Sequence, residues 1–516
     1  MTASTILLNA ASGAAGDPLF VENVFSTFLY TGAGSSGISV TNNINLEDEG
    51  GIVWFKHRNG ANDHIIYDPQ KYPNGDYWIY VNTSGTPQNI GENIFSTSTS
   101  GFAVAGSLSN SDNPRYNASS QKYVTWTFRK APKFFDAVTY NGTGSVQNIS
   151  HNLGTTVGAI FVKCTSTAYD WQVYHRGVDA SAPEDYRLIL NKQDARTDNA
   201  SIWNDTAPTS TQFTVGTNAN VNQSGQSYVA YIFAHNDSDG GYGDGADQDI
   251  IKCGSYTGNG GSQEINLGFE AQWVLLKRSD GTDGTFDFWH LTDIMRGMPV
   301  TASGSSAPVS IPNESDSDST GYSNIRPTAN GFAFTQGNSG ENINGHTYIY
   351  IAIRRGPMAT PETASSVFDG AINFDESNDP GFNSGFVTDM VLNRQPQISD
   401  EFKFYTRLMG QRYLRFDTSL SSISDTNFKS DFMNGIDLGG NSNHDGWLWK
   451  RAPDFFDVVA YTGTGSAQNI SHNLGAVPEM MWVKQRNNTN QWLAYHSALG
   501  NTKYIRMDLA MVLSLY

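Results

Sequence analysis

Short runs of β-branched and aromatic residues, bounded by clusters of Gly, Asn and Ser, recur roughly every 10 to 15 residues along this chain. Apolar positions at helical spacing are scarce, so the pattern predicts strands and turns throughout. In Tyr228-Val229-Ala230-Tyr231-Ile232-Phe233 the apolar character is nearly continuous. That predicts a central strand covered on both faces.

The pattern repeats at domain scale. Ala131–Gly154 (APKFFDAVTYNGTGSVQNISHNLG) and Ala452–Gly475 (APDFFDVVAYTGTGSAQNISHNLG) agree at 19 of 24 positions. The match continues through Ile160-Phe161-Val162-Lys163 against Met481-Trp482-Val483-Lys484, and through Trp171…His175 against Trp492…His496. Weaker copies run from Tyr256 through Trp273…Lys277 to Phe288-Trp289-His290, and from Tyr30 through Ile52…Lys56. A diverged copy runs from Val367 through Met390-Val391-Leu392 to Phe404-Tyr405-Thr406. Repeats of about 100 residues with six to eight short strands have the size of a β-sandwich.

The expected fold is therefore all-β: tandem antiparallel β-sandwich repeats, jelly-roll-like, four complete and one truncated. The expected boundaries are an N-terminal arm at 1–24, repeats at 25–130 and 131–235, and an exposed Gly/Asp linker at 236–249. A third repeat at 250–356, a diverged fourth at 357–450 and an incomplete fifth at 451–516 follow. The fifth stops before any equivalent of Tyr228…Phe233. Its open edge and apolar face predict completion by another chain or by downstream sequence.

Composition narrows the chemistry. Lys plus Arg number 32 against 50 Asp plus Glu, a net charge of −18, and that field disfavours nucleic acid as a partner. Two cysteines, Cys164 and Cys253, form neither a disulfide framework nor a zinc spacing. Residues 1–18 lack the basic and apolar regions of a signal peptide, and no stretch has the length of a membrane helix, so no membrane insertion is expected.

Candidate sites are few. His175, His290 and His496 each follow an aromatic and read as one position in three repeats, with Thr406 and Asp68 in the other two. Capping a strand end accounts for them better than catalysis does, because no carboxylate or second histidine accompanies the motif. His151 and His472 sit in Ser-His-Asn-Leu-Gly, a turn. Asp237, Asp239 and Asp244 in the Gly/Asp linker offer oxygen ligands for calcium, without EF-hand spacing, and Glu314, Asp316 and Asp318 form a similar run. Trp78, Tyr80, Trp203 and Tyr242, read as exposed near loops, are aromatics of the kind that stack on sugar rings. No catalytic residue and no other cofactor is expected.

Tyr-x-Gly, Gln-Asn-Ile-Ser-His-Asn-Leu-Gly, an aromatic Val-Lys strand, Trp-x-x-Tyr-His and a Tyr-Val-Ala-Tyr close together resemble the concanavalin-like β-sandwich domains repeated in virion structural and tail-fibre proteins of marine tailed bacteriophages. The resemblance is strongest at 131–235 and 452–500. It implies a non-enzymatic virion component, assembled in the host cytoplasm, most in keeping with a tail fibre or tail-associated protein for host attachment. Other virion proteins, copies of the same chain and a host cell-surface glycan are the implied partners, and the truncated repeat would mark a particle-facing or oligomer-facing end. The alternatives are capsid-surface decoration or a head fibre, and a depolymerase of surface polysaccharide.

Overall fold

A computed structural model describes residues 18–507 and 513–515, except 92, 107–112, 282–286, 301–306, 335–339, 376–378, 397–400 and 440–443. Most of the expected N-terminal arm and most of the apolar stretch 509–516 thus lie outside the described residues. The chain is all-β and its sheets are antiparallel.

One strand order recurs. In the first repeat an opening strand, Phe25–Thr31, pairs with a closing strand, Lys122–Arg129. The closing strand pairs in turn with the lysine-bearing strand Gly51–His57, which pairs with Ile65–Tyr67, followed by Tyr77–Tyr80 and Gln88–Asn89. The same order holds for Phe135–Asn141, Ser227–Ala234, Val157–Cys164 and Gln172–His175, and for Ile251–Thr257, Thr347–Arg354, Ala271–Arg278 and Trp289–Asp293. It holds again for Phe368–Asn373, Asp445–Trp449, Met390–Arg394 and Lys403–Thr406. Val53, Ile160 and Val274 occupy equivalent places, each four positions along the closing strand from its tyrosine, opposite Thr127, Ile232 and Ala352.

A smaller sheet covers one face of each large one. In the first repeat Val40, Phe95 and Phe102 pack from the small sheet against Val53, Phe55 and Trp78. Alternation along the strand sends the intervening residues Ile52 and Trp54 to the opposite face. There they join Trp126 and Phe128, Phe161 and Phe233, and Trp273, Leu275 and Ile351 in a single core drawn from three repeats. This is why the lysine-bearing and closing strands read as almost unbroken apolar runs. One face is buried within the repeat, the other between repeats.

The repeat ends share a latch. The opening and closing tyrosines lie opposite each other and stack with ring centroids 5.1 Å apart in all three pairs: Tyr30 on Tyr123, Tyr140 on Tyr228, and Tyr256 on Tyr348. Six residues before each closing tyrosine stands a buried asparagine, Asn117, Asn222 or Asn342. Its Oδ1 accepts from the backbone N–H of Ala33, Thr143 or Asn259 at 2.8 to 2.9 Å, and its Nδ2 donates to turn carbonyls such as Gly34, Ser145 and Gly261. The tip between opening strand and small sheet is thereby satisfied without water.

The segment 236–249 is exposed at 237–239 and 244–247 and anchored at the residues between and beside them. Asn236 is fully buried, donating to the Lys133 carbonyl at 2.9 Å and accepting from Ile250 N–H. Lys133 Nζ donates to the Gly240 carbonyl at 2.7 Å, and Gly243 N–H to the Leu19 carbonyl at 2.8 Å. Its Gly and Asp residues serve tight turns in a segment held against the ends of neighbouring repeats.

Candidate functional site

The repeats meet through a set of equivalent buried cations. A lysine is the next-to-last residue of the same strand in the first three repeats, opposite Val124, Val229 and Ile349. Each ammonium is buried and each serves two carbonyls, one in the following loop of its own repeat and one in another repeat. Lys56 donates to Asn62 O at 2.6 Å and to Ser315 O at 3.0 Å. Lys163 donates to Tyr169 O and, at 2.8 Å, to Ser84 O. Lys277 donates to Asp287 O and, at 2.9 Å, to Gln193 O. The third repeat thus reaches the second, the second the first, and the first the third. The cycle closes.

Burial pushes all three ammonium groups down to about 8, because carbonyl dipoles and distant carboxylates only partly replace water. The indole eight residues after the second lysine, Trp171, donates to Tyr80 O at 2.9 Å, and its equivalent Trp289 to Ile189 O at 3.1 Å. Both bonds run in the same sense as the lysines. In the first repeat this place is His64, whose Nδ1 accepts from Trp54 Nε1 at 3.1 Å.

The position read as a recurring histidine is a second link in the cycle. Strand register puts Asp68, His175, Asp293, Thr406 and His496 there. His290 does not belong to it, because Trp289 and not His290 aligns with Trp171. Asp68 accepts from the Tyr231 hydroxyl at 3.1 Å, His175 Nε2 meets Tyr350 O at 3.0 Å, and Asp293 accepts from Trp126 Nε1 at 3.1 Å. Each bond joins one repeat to the closing strand of the next, the third returning to the first. Burial drives His175 down to about 3, so it is neutral at pH 7. His290 instead meets Glu341 at 3.1 Å inside the third repeat.

Ion pairs fasten the joints. Arg296, wholly buried, spans Asp293 at 2.7 Å and Asp318 at 2.8 Å and lies over the Trp126 ring. Arg451 grips Glu270 through two nitrogens at 2.8 and 2.7 Å, and Arg355 meets both oxygens of Asp389 at 3.1 Å. Burial alone would raise the Asp389 carboxyl, but Arg355, Arg407 and Arg451 outweigh it and hold it below the ordinary range. The Arg451 and Arg355 pairs tie the third repeat to the fourth and fifth beside a shallow depression lined by Arg355, Arg451, Asp457 and Asn473.

The expected sugar-stacking aromatics are not exposed. Trp78, on Tyr77–Tyr80, turns into its sandwich core against Tyr116. Trp203 ends the one-turn helix Ala200–Trp203 and packs edge-on to Tyr174. Tyr242 is buried with its hydroxyl bound to Pro132 O at 2.9 Å. Loop proximity misled here, since all three rings are covered and none can stack on a ligand. Tyr80 alone stays half-buried, beneath the Arg115 guanidinium.

Nor do the linker carboxylates converge on calcium. Asp239 accepts from the Thr155 hydroxyl and from Asp237 N–H, and Asp237, Asp239 and Asp244 are all exposed. Among the described residues no group of three or more His, Cys, Asp or Glu side chains is placed to hold a metal ion. Asp318, from the second acidic run, belongs to the Arg296 and Arg58 pairs. His151 and His472 accept from Leu153 and Leu474 N–H at 3.2 Å, closing the same turn in two repeats. No helix among the described residues is long and apolar enough to cross a membrane.

The lysine partners escaped the sequence reading because loop carbonyls carry no side-chain signature. The asparagine latch had a signal that was missed, the recurrent spacing Asn-x5-Tyr.

No curated protein matches the chain. A family described as a domain of unknown function, DUF7483, matches residues 22–357 and 450–514. The longer span contains the three repeats of the closed cycle, and the shorter one the last repeat. The ends of the longer span meet in space, where Val21 N–H donates to Pro357 O at 2.9 Å. With far more than half of its residues inside these spans, the chain belongs to the DUF7483 family.

Proposed function

We propose that the protein is a non-enzymatic structural component of a bacteriophage virion, in a tail-fibre or other tail-associated position, where a rigid group of β-sandwiches is displayed toward the host surface. One observation carries the structural half of this reading. The equivalent buried lysines all serve to join one repeat to another in a closed cycle. A cycle of this kind fixes the relative orientation of three sandwiches far better than a flexible tether. The resemblance of the Gln-Asn-Ile-Ser-His-Asn-Leu-Gly and Trp-x-x-Tyr-His segments to virion proteins supports the setting. Many copies on one particle would raise avidity without any single tight site.

Gold-labelled antibody to the folded chain, applied to purified particles of a phage encoding it and imaged by negative stain, tests the proposal. Label along or at the end of the tail is expected. Label over the capsid would replace the tail position by surface decoration, and particles free of the protein would overturn the structural reading.

A further inference from the structure

The three joints of the cycle differ in chemistry. Three residues after its closing tyrosine each repeat carries Trp126, Tyr231 or Ile351. Trp126 and Tyr231 each bring a side-chain proton to a carboxylate, Asp293 and Asp68. Ile351 has none to give. The third repeat offers the Tyr350 carbonyl instead, and that joint therefore uses a donor, His175 Nε2 at 3.0 Å.

A second imidazole stands in the same joint. His175 Nδ1 accepts from Gly177 N–H at 3.1 Å, and His235 Nδ1 accepts from Cys253 N–H at 3.2 Å. A further proton on either Nδ1 would face a backbone N–H, so these bonds require both rings to be neutral. The surroundings add to this. Arg176, which donates to Cys253 O at 3.3 Å, opposes charge on both rings, and Lys252, 3.8 Å from Asp249, opposes it on His235. Asp237 favours charge on His235 but lies exposed, while Glu184 acts on Tyr174. Burial keeps the Cys253 thiol and the Tyr174 and Tyr350 hydroxyls protonated, so they offset nothing. Among the described residues no carboxylate bonds to either ring. The backbones also approach closely. A Cβ on Gly158 would lie 2.4 Å from Cys253 Sγ, and one on Gly177 2.9 Å from the Gly254 carbonyl carbon, which leaves little room for water beside a new charge.

We propose that the joint between the second and third repeats is an acid-operated hinge, at which the closed cycle opens reversibly while its other two joints hold. Burial above all, with Arg176 beside it, holds His175 at about 3 and His235 at about 4, both below the ordinary 6.5. Separated rings take up protons first, so this joint weakens as pH falls below 6.5. Asp68 has the opposite sign. Burial raises its carboxyl, so the closed joint takes the proton first, and the protonated group still accepts from the Tyr231 hydroxyl through its carbonyl oxygen. At the third joint Arg296 already places a cation between Asp293 and Asp318.

The test uses the full chain with two pairs of spin labels attached at neutral pH. Ala180→Cys with Thr257→Cys, both exposed, spans the hinge, and Ala61→Cys with Ser317→Cys spans the joint between the third and first repeats. Both distances should be narrow at pH 7. At pH 3 the first should lengthen by about 10 Å or more, the order of the radius of gyration of one sandwich, and return at pH 7, while the second stays as it was. His175→Gln with His235→Asn keeps a donor for Tyr350 O and an acceptor for Cys253 N–H without the titration, and should hold the first distance at pH 3. His175→Gln alone should move the opening to lower pH, which serves if the double variant does not fold. An unchanged first distance in the wild type, lengthening of both distances together, or opening of the variants at the wild-type pH would each overturn the proposal.

Discussion

Lys163 shows what a single buried cation does in this molecule. Replacing it by methionine keeps the apolar stem but leaves Ser84 O and Tyr169 O without their donor. Lys163→Met should cost roughly 2 kcal/mol, seen as a lower urea midpoint. The cost should also depend on pH. Folding holds the ammonium near 8 against an ordinary 10.5, so between these values the unfolded chain binds the extra proton and stability rises with pH. The gap between wild type and Lys163→Met should therefore widen from pH 7.5 to pH 9.5. His175 behaves in the opposite limb. Its folded value of about 3 lies below the ordinary 6.5, so the unfolded chain takes up the proton first and stability falls as pH drops through that window. At pH 4.5 this amounts to roughly 2 to 3 kcal/mol, and His175→Gln should remove that part of the acid loss in urea titrations. The histidine's place was legible from His175 and His496, whereas His290 was misassigned because an aromatic-His string outweighed the tryptophan that fixes the register.

At the scale of elements, strands were easy to read because alternation and turn residues are local signals. Their second buried face was predicted as well, from the unbroken run in Tyr228…Phe233, but what covers it was not. Ile52 and Trp54 look the same in sequence whether a helix, a sheet or another repeat lies above them. Trp78, Trp203 and Tyr242 failed for the converse reason: nearness to a loop in sequence says nothing about which way a ring turns. The asparagine latch offers a test at this scale. Asn222 serves Thr143 N–H, Ser145 O and Gly216 O. Truncation strands all three, so Asn222→Ala should destabilise the second repeat by roughly 2 to 4 kcal/mol, read as faster hydrogen exchange through 139–150. Asn222→Asp should not restore the loss: its carboxylate can still accept from Thr143 N–H but has no proton to give the Ser145 and Gly216 carbonyls that face it.

For the whole molecule, the central claim is that the first three repeats close on one another instead of trailing like beads. Sequence repetition specified three similar sandwiches but not their closure, which rests on contacts between residues as far apart as Lys56 and Ser315. Distance between the first and third repeats decides it. Ala61→Cys and Ser317→Cys place spin labels at exposed sites on either side of that contact, and the native Cys164 and Cys253 are too buried to react. The lysine bridge predicts a narrow distance distribution centred below about 25 Å by double electron–electron resonance, given hydrogen-bond reach plus label length. A broad distribution near or beyond roughly 60 Å, the length of two sandwiches end to end, would contradict the closed cycle.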